Sequence, residues 1–193
     1  MSQSTRKLWA AKLDGRLKPS AAQVPVIKPR RFEGIVLGVD PSLRGTGLAV
    51  LDVRGGDWTL LYSRTLKHKA SMEMSACLGE IHKGVAEAIE RFKPVHCALE
   101  QTIYVQNSRT ALVMGAARGA AISAMALAGL PVNEYPPRRV KQAVSGYGAA
   151  SKEQVAGQIQ AMLKLPEALP PDESDAAAVC ICHALHGSDA QDA

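Results

Sequence analysis

Gly34-Ile-Val-Leu-Gly-Val-Asp40-Pro-Ser-Leu-Arg-Gly-Thr-Gly-Leu-Ala-Val-Leu-Asp-Val53 is the stretch that decides how the chain is read. Ile35, Val36, Leu37 and Val39 are rich in β-branched types and read as a strand buried on both faces. The run stops at one carboxylate, Asp40. Pro41-Ser42 and Gly45-Thr46-Gly47 then supply turn chemistry before Leu48 to Val53 restarts the strand pattern, so an antiparallel hairpin with a wide loop is expected. An ionised side chain at the end of a core strand is costly unless something pairs with it. A metal ion is the partner we expect for Asp40.

Working outward, Gly55-Gly56 is a turn signal and Trp58 to Leu66 reads as a third strand. Ser71 to Phe92 has helical spacing, with Met74, Leu78, Ile81, Val85 and Ile89 on one stripe and Glu80, Lys83, Glu87 and Glu90 largely off it. Lys93-Pro94 ends that helix. Val95 to Leu99 is a short buried strand closed by Glu100, much as Asp40 closes the first. Gln101 to Arg109 is a polar loop containing Tyr104. Thr110 to Gly129 follows as a helix apolar almost all round, with Gly115 and Gly119 spaced so that another backbone can come close. Core packing against the sheet and a symmetric dimer contact both suit such a helix. Pro131 to Tyr135 is a last strand, and Pro136-Pro137 opens a helix carrying Arg138, Arg139 and Lys141. Gly146-Tyr147-Gly148 breaks the chain. Ser151 with Gln154 makes a capping box for a helix to about Leu165, and Asp172 to about His186 is the final helix, entered through an acid that suits its amino end.

A chain of 193 residues with 47% hydrophobic and 21% charged residues suits one domain with a full core and a short appendage. The formal net charge of +5 is uneven: residues 1–33 hold eight Lys or Arg against two acids, and the remainder is close to neutral. Residues 1–33 are therefore read as a flexible basic arm, able to lie along phosphates or simply solvated. Residues 34–187 form the domain and 188–193 a disordered tail. Cys77, Cys97, Cys180 and Cys182 lack framework spacing, which favours reduced thiols and a cytoplasmic setting. The arm lacks the continuous apolar segment of a secretory signal; an organelle transit peptide is the second reading of the same basic residues. Ala111 to Leu130 is about long enough to span a bilayer. Arg118 at its middle argues for a buried core helix and no membrane partner.

The chemistry rests on acids. Asp40 and Glu100 end neighbouring strands, and Asp172 and Asp175 share one face of a helix start. The carboxyl ends of strands in an α/β sheet border one crevice, so a helix docked there brings four carboxylates together. Such a cluster repels itself unless hard divalent cations compensate, and oxygen-only ligands suit Mg²⁺ or Mn²⁺ rather than zinc. Cys180, Cys182, His183 and His186 on the last helix make a poor zinc set, because Cys180 and Cys182 point to different faces and no second cluster completes a tetrahedron. His183 reads as a core or substrate-side histidine. No His is placed near a Ser in a recognisable nucleophile elbow.

Asp40 with Pro-Ser-x-x-x-Thr-Gly, Ala98-Leu-Glu-Gln101, and Asp172-x-x-Asp175-Ala-Ala-Ala together resemble the RuvC family of Holliday junction resolvases in the ribonuclease H-like superfamily. The resemblance runs from Ile35 to His186 through Gly115-Ala-Ala-Arg118-Gly119, Pro131-Val-Asn-Glu134-Tyr135, Val140-Lys141-Gln142, Gly146-Tyr-Gly148-Ala-Ala-Ser-Lys152-Glu-Gln154-Val155 and Leu163-Lys-Leu-Pro166. It implies a ribonuclease H-like α/β fold: a mixed five-stranded sheet, its first three strands antiparallel, flanked by helices.

By position, the resemblance makes Asp40, Glu100, Asp172 and Asp175 the catalytic and metal-binding tetrad. Lys141 and Lys152 become DNA-backbone residues, with Arg118 and Arg138 as further DNA contacts. It implies two Mg²⁺ ions per site, replaceable by Mn²⁺, clamping the scissile phosphate about 4 Å apart. The products are a 5′-phosphate and a 3′-hydroxyl, the substrate is a DNA four-way junction, and a homodimer nicks two opposed strands. A branch-migration helicase complex is a further expected partner. Two departures stand out: Ile103 occupies the place of the family's wedge Phe, with Tyr104 next to it, and the basic arm precedes the usual family start. Two readings suit Tyr104: it takes over stacking, for which aromatic faces supply about 1–3 kcal/mol per base, or it is an exposed loop tyrosine. Competing functions are another ribonuclease H-like nuclease of the ribosomal RNA processing type, a non-catalytic junction-binding protein, and a phosphotransferase of the actin-like group. The last needs two such lobes, for which this chain is too short.

Overall fold

The computed structural model describes residues 32–101 and 107–186; most of the basic arm, Tyr104 and the whole of the carboxyl-terminal tail lie outside them. β1 (Gly34–Asp40) and β2 (Gly45–Arg54) form the expected antiparallel hairpin, with Gly34 opposite Val53 and Asp40 opposite Gly47. β3 (Asp57–Lys67) folds back on β2 through Gly55 and Gly56, whose φ values of 59° and 92° lie where residues with a Cβ are strained. After α1 (Met74–Phe92), β4 (His96–Glu100) joins β1 in parallel, and after α2 (Ser108–Leu127), β5 (Val132–Tyr135) joins β4 in parallel. α3 (Pro137–Ser145), α4 (Lys152–Met162) and α5 (Pro171–His186) complete the chain. The strand order is β3-β2-β1-β4-β5, and the sheet is mixed with its first three strands antiparallel, as the family resemblance implied.

The apolar runs of β1 and β2 are explained by cover on both faces. Leu37, Val39, Leu48, Val50 and Leu99 pack with Ile81 and Val85 of α1 and Ala117, Ala121 and Met125 of α2. Val36, Ala49, Leu51 and Ala98 pack with Val140 of α3, Ile159 of α4 and the alanine-rich α5. β3 carries a bulge: Val50 pairs with Tyr62 but Leu51 pairs with Leu60, leaving Leu61 extra and exposed. The insertion resets the alternation of the strand. Trp58 and Leu60 pack on the α5 side, whereas Tyr62 and Leu66 pack on the α1 side.

Several boundaries differ from the sequence reading for local reasons. α1 starts at Met74 rather than Ser71. Arg44 donates to the carbonyls of Lys69 (2.6 Å) and Met72 (2.9 Å) and so fixes the preceding residues as a turn. α2 starts two residues early because the Asn107 side chain accepts from the amides of Arg109 and Thr110. α4 has the expected capping box between Ser151 and Gln154 but ends at Met162. Phe32, assigned to the arm, belongs to the folded body, its ring centre 5.0 Å from that of His96 in a tilted contact and 4.6 Å from that of His183 in an edge-to-face one.

α2 departs most from expectation. It has the length and apolarity to cross a membrane, yet its inner face packs in the core and only 22% of its most apolar window is buried. Leu112 is 75% exposed and Leu127 81%. The buried core helix of the sequence reading is therefore covered on one side only.

Candidate active site at the strand ends

The position of α5 is set by what lies beneath it. A Cβ on Gly47 would overlap the carbonyl oxygen of Asp172, and one on Gly38 would overlap that of Ala176 and come within 2.5 Å of the Cys180 sulfur. Only glycine lets the helix lie this close to β1 and β2. α5 starts at Pro171, one residue before the sequence reading placed it, with the Ser174 amide bonded to the Pro170 carbonyl at 2.8 Å. Asp172 is thereby inside the first turn, its Oδ2 over Gly45, and Asp175 stands one turn further on.

The parallel register sets Val39 beside Leu99, so the carboxylates that follow, Asp40 and Glu100, end adjacent strands. Asp40, Glu100 and Asp175 line one cavity of about 220 Å³ together with Lys141, Lys152, Val140, Val155, Ala178 and Val179. Burial first, then the charges of Asp175, Glu100 and Asp172, push Asp40 from 3.8 up to about 7; the Lys152 ammonium only partly offsets them. Burial and the Asp175 charge also raise Glu100, opposed by Lys152 and Lys141. Asp172 lies within electrostatic reach of Asp40 but outside the cavity wall.

The donor chemistry of this pocket fits a hard divalent cation: carboxylate oxygens in excess, at the edge of a core, with too little positive charge to balance them. Among the described residues, however, no three His, Cys, Asp or Glu side chains are already gathered to ligate one ion. Lys152 instead donates to Asp175 Oδ2 at 2.9 Å, and this bond holds the lysine above its ordinary pKa. A cation bound among Asp40, Glu100, Asp175 and Asp172 has to compete with that ammonium. Lys141 donates to the Ala150 carbonyl at 2.9 Å, which ties α3 to the segment before α4 and keeps the ammonium at the cavity wall.

The other expected site residues fall elsewhere. Arg118 is turned inward, its side chain 13% exposed. One nitrogen donates to the Glu100 carbonyl at 2.7 Å. Nη2 lies 2.7 Å from Glu134, a charge contact rather than an aligned hydrogen bond. This arrangement supports the backbone behind Glu100 and leaves the guanidinium little access to DNA. Arg138 is exposed and lines a separate cavity of about 480 Å³ with Arg139, Gln142 and His186. Cys180 donates weakly to the carbonyls of Val36 and Ala49. His183, lowered by burial to about 4, sits between the Tyr135 hydroxyl (2.7 Å) and His96 (2.9 Å) as a core residue.

The sequence reading passed over Glu173, whose carboxylate accepts from the hydroxyls of Ser63 and, at 3.2 Å, Thr65 on β3. Only the bulge at Leu61 turns those hydroxyls toward α5, and β3 had been read as a plain strand.

A five-stranded mixed sheet with carboxylates at the ends of its middle strands and on the first turn of a closely docked helix defines the ribonuclease H-like class. Residues 36–183 match the family model described as crossover junction endodeoxyribonuclease RuvC. The chain belongs to the RuvC family. It is 42% identical to the Geobacter sulfurreducens crossover junction endodeoxyribonuclease RuvC over 149 residues, covering 77% of this chain and 91% of that relative. It is 44% identical to the Tolumonas auensis enzyme of the same name, again over 77% of this chain and over 86% of the relative. Among solved structures, T. thermophilus RuvC in complex with Holliday junction substrate superposes with a TM-score of 0.77 at 34% identity, covering 81% of this chain and 96% of that one. The yeast mitochondrial Holliday junction resolvase Ydc2, at 10% identity and TM-score 0.54, shares the fold.

Proposed function

We propose that this protein is a metal-dependent endodeoxyribonuclease that resolves four-way DNA junctions, hydrolysing phosphodiesters to a 5′-phosphate and a 3′-hydroxyl. The observation that carries the reading is the single cavity shared by Asp40, Glu100 and Asp175, with Asp172 beside it and Lys141 and Lys152 on its wall. Mg²⁺, with Mn²⁺ as a substitute and two ions per site, would be held by the four carboxylates and would supply an activated water and stabilise the leaving oxygen.

The chain's own residues do the rest. Asp40 has to be ionised to serve, and because its pKa is raised in the metal-free pocket a proton competes with the cation for it, so the Mg²⁺ needed for half-saturation falls as pH rises. Lys152 neutralises Asp175 in the free protein, and its exposed ammonium is placed to meet a backbone phosphate once released. Lys141, held near Glu100 by Ala150, offers a second cation to the same strand. Paired nicks need two such cavities, and the open apolar face of α2, around Leu112, Gly115 and Gly119, supports a two-fold homodimer.

The test is a panel of labelled four-way junction, linear duplex and structured RNA, with Mg²⁺ and with EDTA. Junction cleavage with Mg²⁺ alone, lost in Asp40→Asn while junction binding persists, is expected. Equal cleavage of junction and duplex, preference for RNA, or full activity of Asp40→Asn would overturn the assignment.

A further inference from the structure

We infer that Glu173, clamped by Ser63 and Thr65, is a positioning residue that fixes Asp172 and Asp175 for metal binding. The inference rests on the function proposed above and concerns a side chain outside the acidic tetrad. Glu173 lies between the two helix carboxylates, on the first turn of α5. Its own carboxylate points the other way, across β2 to the edge strand, and takes both hydroxyls there. The α5 first turn is therefore held at two places: pressed on the bare backbone of Gly45 and Gly47 in β2, and tied to Ser63 and Thr65 in β3. Thr65 pairs with Gly47 in the sheet, so the tie and the close contact lie side by side.

A helix start needs such an anchor. The first turn has few intrahelical bonds to hold it, and here Asp172 on it and Asp175 one turn further on both repel Asp40. Rolling the start of the helix about its axis would carry Asp172, and Asp175 one turn on, away from Asp40 and Glu100 together. Hydrogen bonds from hydroxyls to a carboxylate are of the stronger, charge-assisted kind, and two of them fix both position and roll. The bulge at Leu61 is what makes the clamp possible, because in an unbulged strand Ser63 and Thr65 would face α1.

The experiment compares the full-length protein with Glu173→Ala, Glu173→Gln, the double variant Ser63→Ala/Thr65→Val, and all three changes combined. Four quantities are read: Mn²⁺ affinity by calorimetry without DNA, junction affinity in EDTA, half-saturating Mg²⁺ for junction cleavage, and melting temperature. Loss of a residue that supports metal ligands typically weakens metal binding about tenfold or more. We expect about tenfold weaker Mn²⁺ binding in Glu173→Ala and in the hydroxyl double variant. Near wild-type binding is expected in Glu173→Gln, no further loss on combining the changes, and unchanged junction affinity in EDTA. Wild-type Mn²⁺ affinity in the hydroxyl double variant, or losses that multiply when the changes are combined, would overturn the clamp. If Glu173→Ala fails to fold, the hydroxyl double variant decides alone, because it leaves every carboxylate in place. A wild-type protein that binds Mn²⁺ but does not cut junctions would overturn the proposed function and leave the clamp standing.

Discussion

Replacing Asp40 with Asn should make the metal-free protein more stable while abolishing cleavage. Asp40 is pushed from 3.8 to about 7 by burial and by its acidic neighbours, Asp175 foremost. Ionising such a group in the fold costs about 4 kcal/mol, at about 1.36 kcal/mol per pH unit between the unfolded and folded values. Water at the cavity mouth reduces this, leaving about 2–4 kcal/mol. Because the folded pKa is the higher, stability is full below about pH 4, falls as pH rises, and the whole contribution is gone above about pH 7. Asparagine carries no charge and escapes the penalty. For a chain of this size each kcal/mol moves Tm by about 2–4 °C, so Asp40→Asn in EDTA at pH 8 should melt at least about 4 °C above wild type. At pH 5 the gap should be much smaller, and saturating Mg²⁺ at pH 8 should raise the wild type more than the variant. No gap at pH 8, or the same gap at both pH values, would refute the electrostatic account of the pocket.

Gly47→Ala should cost cleavage and several degrees of Tm, since its methyl meets the Asp172 carbonyl; wild-type activity would show that α5 does not need the contact. Lys152→Met removes an exposed ion pair to Asp175, so stability should move by no more than about 1 kcal/mol. Junction binding should lose about one unit of salt-dependence slope, and an unchanged slope would remove Lys152 from the DNA path. Arg118→Met should destabilise by about 2–3 kcal/mol in chemical denaturation while junction affinity and its salt dependence stay as in wild type; a weaker slope would restore Arg118 to the DNA surface. Leu112→Glu, on the open face of α2, should halve the mass seen by light scattering without unfolding the domain, and an unchanged mass would rule out that face as the dimer contact.

The hairpin and the two strands that stop at Asp40 and Glu100 were legible because each rests on short-range pattern: β-branched runs, turn residues, and a carboxylate where each run stops. The sheet that sets those strands side by side followed from the family resemblance, because the pairing of β1 with β4 joins distant parts of the chain. The docking of Asp172 and Asp175 was legible only through spacing. What makes it physically possible, the bare backbone at Gly38 and Gly47 under an alanine-rich helix, looks in sequence like ordinary strand and helix composition. Arg118 entered as a DNA contact through the family resemblance alone; nothing in its apolar helix shows that the guanidinium turns inward to the Glu100 carbonyl and Glu134. The Leu61 bulge has no sequence signature at all: Trp58, Leu60 and Tyr62 alternate perfectly, and it is pairing with β2 that splits them between faces.

α5 is at once the most deeply buried helix and the mount for two of the acids, with Ala176 through Ala184 wholly enclosed. Few enzymes can loosen an active-site element without touching the interior when the two are one object. Heat inactivation of this protein should therefore coincide with its unfolding instead of preceding it, and variants that tolerate higher temperature should keep their activity up to the new limit.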